Sequence, residues 1–235
     1  ARHFDRQVQL LFKFLKNRIE PLGPLEDFFY RVEFQQRGSP HIHCLLWIKD
    51  SPKLDGDQKD VIDFVDKYIS CQKPCEEENE EMANLVGNQM HRHSHTCRKG
   101  RKFKCRFGYP KPPMPNTCIL EPLIELEGDL RIKRKKDYQK IQDQLKAMGM
   151  GDSMDFTEFL KSVKLTLDEY ICAIRASLNN TTIFLKREPS EIRVNAYSPG
   201  VMKAWQANMD IQFVTNVYAC AMYIASYVTK SQRGM

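Results

Sequence analysis

The chain has 235 residues, a formal net charge of +6, 42% hydrophobic and 28% charged residues. These values describe a globular protein long enough for one large domain or a core plus an insertion. No run of 18 or more apolar residues occurs, which excludes a membrane-spanning helix, and the modest positive charge favours a polyanionic partner.

The N-terminus, Ala1-Arg2-His3-Phe4-Asp5-Arg6, has no signal-peptide character. Eight cysteines in such a chain point to free thiols or metal ligands rather than to a disulfide scaffold. The absence of an initiator Met leads us to expect a fragment or processed piece.

Residues 2–19 carry Val8, Leu11, Phe12, Leu15 and Ile19 at helical intervals, and Pro21-Leu22-Gly23-Pro24 ends that pattern. Tyr30, Val32 and Phe34 then alternate with Arg31, Glu33 and Gln35, as a strand requires. Arg37-Gly38-Ser39-Pro40 is turn chemistry, and the apolar run Ile42, Cys44 to Ile48 suits a second strand. A β-hairpin follows. Strand side chains alternate faces, so His41 and His43 share one face, and Glu33 and Gln35 share one face of the partner strand. Imidazole with carboxylate or amide oxygen suits a divalent cation with open positions.

Beyond a polar loop over residues 49–57, Asp60 to Ile69 reads as a helix packed through Val61, Phe64, Val65 and Tyr68. Composition then shifts. Cys71 to Cys118 holds five cysteines and three histidines, with an acidic run, Glu76 to Glu81, that reads as the solvated start of a helix. His91, His93, His95, Cys97 and Cys105 offer nitrogen and sulfur donors within fifteen residues. Two Cys with two His make a closed tetrahedral Zn²⁺ site, which stabilises a segment with little core of its own. Cys71 and Cys75 are the main rivals as ligands. The loop between Cys97 and Cys105 carries Arg98, Lys99, Arg101 and Lys102, which can meet phosphate.

Arg131 to Lys140 is strongly basic, either a solvated helix face or a phosphate-contacting surface. Two short helices are expected over 157–163 and 166–177. Strands are expected over 182–185, 191–197 and 209–214, and a last helix from about Asn216 to Lys230. On that helix Tyr223 and Tyr227 are spaced i, i+4 and share a face with Lys230, while Tyr218 lies about 140° away around the axis. For an arbitrary protein, tyrosines at this spacing are packing residues.

Glu33-Phe34-Gln35-Gln36-Arg37-Gly38-Ser39-Pro40-His41-Ile42-His43 resembles the HUH motif of replication-initiator endonucleases, in particular the Rep nuclease domain of Helitron rolling-circle transposons. That resemblance calls for a tyrosine motif near the C-terminus, and Tyr223-x3-Tyr227 followed by Lys230 is similar to the family's two-tyrosine motif. The resemblance runs from about Arg2 to Met235. It is most specific at 33–47, 91–115 and 195–235, and stretches 121–178 add little. It implies an α+β fold with a central antiparallel sheet, flanking helices and a zinc-binding insertion. The expected division is 1–70 for the first part of the HUH core, 71–120 for the insertion, and 121–235 for the remainder with the tyrosine helix.

The same resemblance implies a metal-dependent single-stranded DNA nickase and ligase of rolling-circle transposition. Tyr223 and Tyr227 would be the nucleophiles, assisted by Lys230. Mg²⁺ or Mn²⁺ would sit on His41 and His43 with Glu33 or Gln35, and Zn²⁺ on His91, His93, Cys97 and Cys105, with His95 spare. Arg37, Arg98, Lys99, Arg101 and Lys102 would contact DNA. A helicase domain C-terminal in the same polypeptide and a nuclear location are also implied. HUH domains usually begin with a strand before the first helix, so a strand is expected to precede residue 1. The competing reading is an inactive, zinc-stabilised DNA-binding domain derived from a transposon. A His-based phosphoesterase of the His-x-His-x-His kind would need a third histidine where Leu45 stands.

Overall fold

A computed structural model describes residues 2–17, 21–34, 39–95, 97, 105–123, 128–149 and 152–229, with only the backbone for 227–229. In chain order its elements are α1 (Arg2–Asn17), β1 (Leu25–Phe34), β2 (Pro40–Ile48), α2 (Gln58–Tyr68) and α3 (Glu80–Gln89). There follow β3 (Cys118–Leu120), α4 (Gly128–Ala147), α5 (Phe156–Val163), α6 (Leu167–Arg175) and β4 (Thr182–Phe184). A 3-10 turn over Pro189–Glu191, α7 (Pro199–Trp205) and α8 (Val217–Thr229) are the last elements of the described residues. The fold is mixed α/β with small antiparallel sheets. Among the described residues no helix is long and apolar enough to cross a membrane.

The chain forms two compact units. The first comprises 1–68, 198–206 and 212–235; the second comprises 69–197 and 207–211.

The first unit is built on the expected hairpin. β1 and β2 pair antiparallel, with Glu33 opposite His41 and Arg31 opposite His43. One face of this two-stranded sheet stacks on α1: the Phe12 ring lies 4.3 Å from Phe28 and 4.8 Å from Tyr30 between centroids. Val8, Phe12 and Leu15 of α1, spaced at helical intervals, are buried, as are Val61 and Val65 of α2. Gly23 adopts φ +89°, and a Cβ there would meet Ile48 Cγ2 and the Tyr68 hydroxyl at 3.0 Å. Glycine is therefore required where the chain enters β1.

The second unit has its core between α4, α5 and α6. Ile141, Leu145, Phe159, Tyr170 and Ile174 are among its fully buried residues. Reciprocal capping boxes start both short helices, Asp155 with Glu158 and Thr166 with Glu169. The acidic run does lead a helix: Asn79 caps α3 by accepting from the Met82 N–H, with Glu80 and Glu81 in its first turn. The basic stretch 131–140 lies within α4, where Asp137, Ile141 and Leu145 are buried.

Three expectations about strands need correction. The sheets among the described residues are two separate two-stranded pairs, β1 with β2 and β3 with β4, not one central sheet. Residues 191–197 are not a strand. Buried Ile192 and Val194 give the alternation that suggested one. The Arg187 guanidinium instead bonds the carbonyls of Glu191 and Val194, the latter at 2.9 Å, so these groups are satisfied without a ladder. Only Tyr197 pairs, in an isolated bridge with Ser70. Residues 209–214 also alternate in burial but have no strand partner; the Met209 N–H bonds the Gln89 side chain instead, at 2.9 Å.

Candidate metal centres and the tyrosine helix

The first candidate centre is the open face of the hairpin. The antiparallel register sets Glu33 directly across from His41, and the two-residue period sets His43 beside it on the same face. Their donor atoms converge. His41 Nε2 and His43 Nε2 are 2.9 Å apart, and Glu33 Oε2 lies 3.1 Å from His43 Nε2 and 3.5 Å from His41 Nε2. Two ligands about 2.1 Å from one ion lie about 3.0 Å apart at a right angle and about 3.4 Å apart at the tetrahedral angle. The three separations therefore fit one divalent cation held on one side, with its other positions open. All three residues are half-buried, within reach of solvent and substrate. His41 Nδ1 is buried without a hydrogen-bond partner.

α8 brings Tyr223 to this centre. Its hydroxyl contacts His43 Nδ1, with the two rings edge to face at 5.6 Å between centroids. The hydroxyl thus sits one imidazole ring from the donor cluster. Tyr218 is 75% exposed, on another side of the helix. Tyr227 lies on α8 four residues after Tyr223, about 6 Å along the axis on the same face. Its side chain, Lys230 and Gln35 lie outside the described residues, as do Arg37, Arg98, Lys99, Arg101 and Lys102.

Sequence reasoning overlooked Arg31. It stands opposite His43, on the face that carries Glu33, and the alternation Arg31, Glu33 was the signal for it. Cys44, with even parity, faces the other way, and burial pushes its thiol up to about 12, so it stays protonated.

The second candidate centre lies in the second unit. His91, His93, Cys97 and Cys105 present donor atoms that all lie within 4.8 Å of one another. His91 Nε2 is 3.2 Å from His93 Nδ1 and 3.3 Å from Cys105 Sγ, and His93 Nδ1 is 3.6 Å from Cys97 Sγ. Tetrahedral zinc sets N···N pairs near about 3.4 Å and N···S pairs near about 3.6 Å, so this set suits zinc. Both cysteines are buried. Cys97 Sγ lies 3.2 Å from the Ser94 N–H and 3.3 Å from the Ser94 carbonyl. His95 is exposed and outside the cluster. The rival cysteines also lie outside the cluster: Cys71 is buried with its thiol bonded to the Lys186 carbonyl at 3.2 Å, and Cys75 is exposed.

The loop that displaced the expected strand holds this centre in place. The Arg193 carbonyl accepts the His91 N–H at 2.7 Å, and the Ile192 carbonyl accepts the Lys111 N–H at 2.8 Å. Tyr109 stacks on the His91 ring at 4.5 Å and donates its hydroxyl to Asn195 at 2.6 Å. Burial pushes the Tyr109 phenol up to about 12, so it remains a donor. Beside it the Arg106 guanidinium lies 4.5 Å over the ring of half-exposed Phe107.

Residues 1–46 match the family model described as the Helitron helicase-like domain at the N-terminus. The matched stretch contains Glu33, His41 and His43, but neither α8 nor the second cluster. It supports a Helitron-related protein, with DNA association and a helicase context. No curated protein and no solved structure matches the chain.

Proposed function

We propose that the chain is an HUH-type, two-tyrosine Rep endonuclease domain that nicks and rejoins single-stranded DNA in Helitron rolling-circle transposition. The observation that carries this reading is the Tyr223 hydroxyl against His43, whose other ring nitrogen belongs to the Glu33, His41, His43 donor set. Two imidazole nitrogens with one carboxylate oxygen suit Mn²⁺ or Mg²⁺. A cation held there supplies Lewis-acid polarisation and orientation of a phosphodiester.

The chain's own groups account for the rest. With Nε2 committed as a ligand, the proton of neutral His43 resides on Nδ1, which then donates to the Tyr223 oxygen. That contact orients the oxygen and favours its phenolate. Tyr223 releases its proton to solvent and attacks phosphorus, the bond from phosphorus to the 3′ oxygen breaks, and the 3′-OH leaves with a proton from solvent. The 5′ end stays on the protein as a phosphotyrosine. The phosphodiester's energy is retained, so another 3′-OH can reverse the step. Tyr227, one turn along the helix, would provide for a second strand transfer, and Lys230, three residues on in the sequence, would assist.

Zinc on His91, His93, Cys97 and Cys105 would serve folding, since four protein ligands leave no open position for chemistry. The basic residues of the loop between Cys97 and Cys105, together with Arg37, would meet the DNA backbone. A helicase domain in the same polypeptide and a nuclear location belong to this reading.

The test is a denaturing gel of a labelled single-stranded oligonucleotide incubated with Mg²⁺, Mn²⁺ or EDTA. Metal-dependent covalent attachment with release of a 3′-OH fragment is expected. Binding without attachment would leave a zinc-stabilised DNA-binding domain.

A further inference from the structure

The metal-bearing face of the hairpin does not end at the histidines. The register continues it through the pairs Arg31 with His43, Phe29 with Leu45 and Asp27 with Trp47. Four residues of strand separate His43 from Trp47, about 13 Å. Arg31, Phe29 and Leu45 are half-buried. Trp47 at the far end is 47% exposed, although the opposite face of the same sheet stacks its aromatic rings on α1. About half of the indole is thus left to solvent on the face that carries a candidate metal centre. The order along the face is donor cluster, cation, apolar pair, exposed ring.

We propose that this face is a binding track for single-stranded DNA, in which Trp47 stacks on a base near the cut phosphate and Arg31 contacts a backbone phosphate. The inference rests on the metal centre being the reactive site, and it adds where the strand lies and what grips it. Single-stranded nucleic acid is the occupant because it offers both partners in alternation, a flat ring for the indole and an anion for the guanidinium. Asp27 is paired with Trp47 at that end, with Glu26 beside it at the bulge. The Asp27 Oδ1 accepts the Phe28 N–H at 2.8 Å, which turns it back on its own backbone. Base stacking on an aromatic ring tolerates any sequence, so the track would bind without strong sequence preference.

The chain has two tryptophans, Trp47 and Trp205. Trp205 packs edge-on against Phe4 at 5.9 Å. A Trp205→Phe background therefore leaves Trp47 as the sole indole reporter. In EDTA, titration of that protein with oligodeoxythymidylate should quench Trp47 emission to saturation. By anisotropy of a labelled oligonucleotide, Trp47→Ala should weaken binding about tenfold and Trp47→Phe should retain most of the affinity. Arg31→Gln should reduce the slope of log affinity against log salt by about one phosphate contact, whereas Trp47→Ala should leave the slope unchanged. Saturating binding without quenching, or wild-type affinity in Trp47→Ala, would overturn the track. Covalent attachment with Mn²⁺ is read separately. Quenching without attachment keeps the track and removes the nuclease, and attachment at undiminished affinity by Trp47→Ala does the reverse.

Discussion

Tyr223 and His43 are 180 residues apart in the chain, and the Tyr223 hydroxyl meets His43 Nδ1 while the other nitrogen of that ring lies 3.1 Å from Glu33. A single imidazole thus touches the proposed nucleophile on one side and the proposed ion on the other. If this is the reactive arrangement, Tyr223→Phe and Tyr227→Phe should each impair some strand transfers, and the double variant should form no covalent adduct. The denaturing gel described above measures this directly. An adduct formed fully by the double variant would remove both tyrosines from the chemistry.

His41 separates metal binding from tyrosine orientation. Its Nε2 is 2.9 Å from that of His43, yet the Tyr223 contact belongs to His43 alone. His41→Ala should therefore weaken Mn²⁺ binding by at least about tenfold, the scale on which supporting residues act at metal sites, and abolish cleavage at limiting metal. Glu33→Gln should weaken Mn²⁺ less, because an amide oxygen can still ligate but brings no charge. Calorimetric Mn²⁺ titration of each variant checks the affinities. Cleavage that survives both EDTA and His41→Ala would count decisively against a metal role.

The hairpin was legible because two periods coincide in it. Alternation fixed the faces of β1 and β2, and the turn chemistry of Arg37 to Pro40 marked a hairpin, so Glu33 and Gln35 could be placed on one face of the partner strand, while the pairing of Glu33 with His41 came from the register. The helix of Tyr223 and Tyr227 was legible from its i, i+4 spacing, but its contact with His43 is a tertiary fact that no local pattern encodes. The stretch 191–197 misled for the opposite reason. Ile192 and Val194 alternate because they pack inward from a loop, and what satisfies that loop's carbonyls is the side chain of Arg187, several residues upstream. A nearby side-chain donor can satisfy a loop whose burial alternates like a strand's. Arg31 was visible in the alternation yet carried no chemistry until the register set it beside His43.

The four-ligand cluster predicts a metal stoichiometry. The purified chain should carry about one equivalent of zinc. Cys97→Ser and Cys105→Ser should each lose it and lower the unfolding midpoint, since ligand atoms that converge without an ion leave thiolates and imidazoles crowded in a buried site. His95→Ala and Cys75→Ser, both at exposed positions outside the cluster, should retain full zinc content. Elemental analysis and thermal unfolding with and without a chelator distinguish these outcomes, and zinc retained by Cys97→Ser would reassign the ligands.

Arg187 provides a test of how the second cluster is held. Its buried guanidinium donates to the carbonyls of Glu191 and Val194, and the loop so fixed accepts the His91 N–H at its Arg193 carbonyl and the Tyr109 hydroxyl at its Asn195 side chain. Tyr109 in turn stacks on the His91 ring. Arg187→Met preserves bulk but leaves the buried Val194 carbonyl without its donor, at a cost of about 1–3 kcal/mol before relaxation, while the Glu191 carbonyl keeps only the Val194 N–H. The loop should then loosen, and with it the orientation of His91. Urea unfolding should show a loss of about 1–3 kcal/mol, and competition with a chromogenic chelator should show weaker zinc binding, although Arg187 touches none of the four ligands' donor atoms. Tyr109→Phe, which keeps the stack and removes only the bond to Asn195, should cost about 1 kcal/mol and leave zinc affinity nearly unchanged. Equal effects of the two substitutions on zinc would show that the loop carbonyls do not position His91.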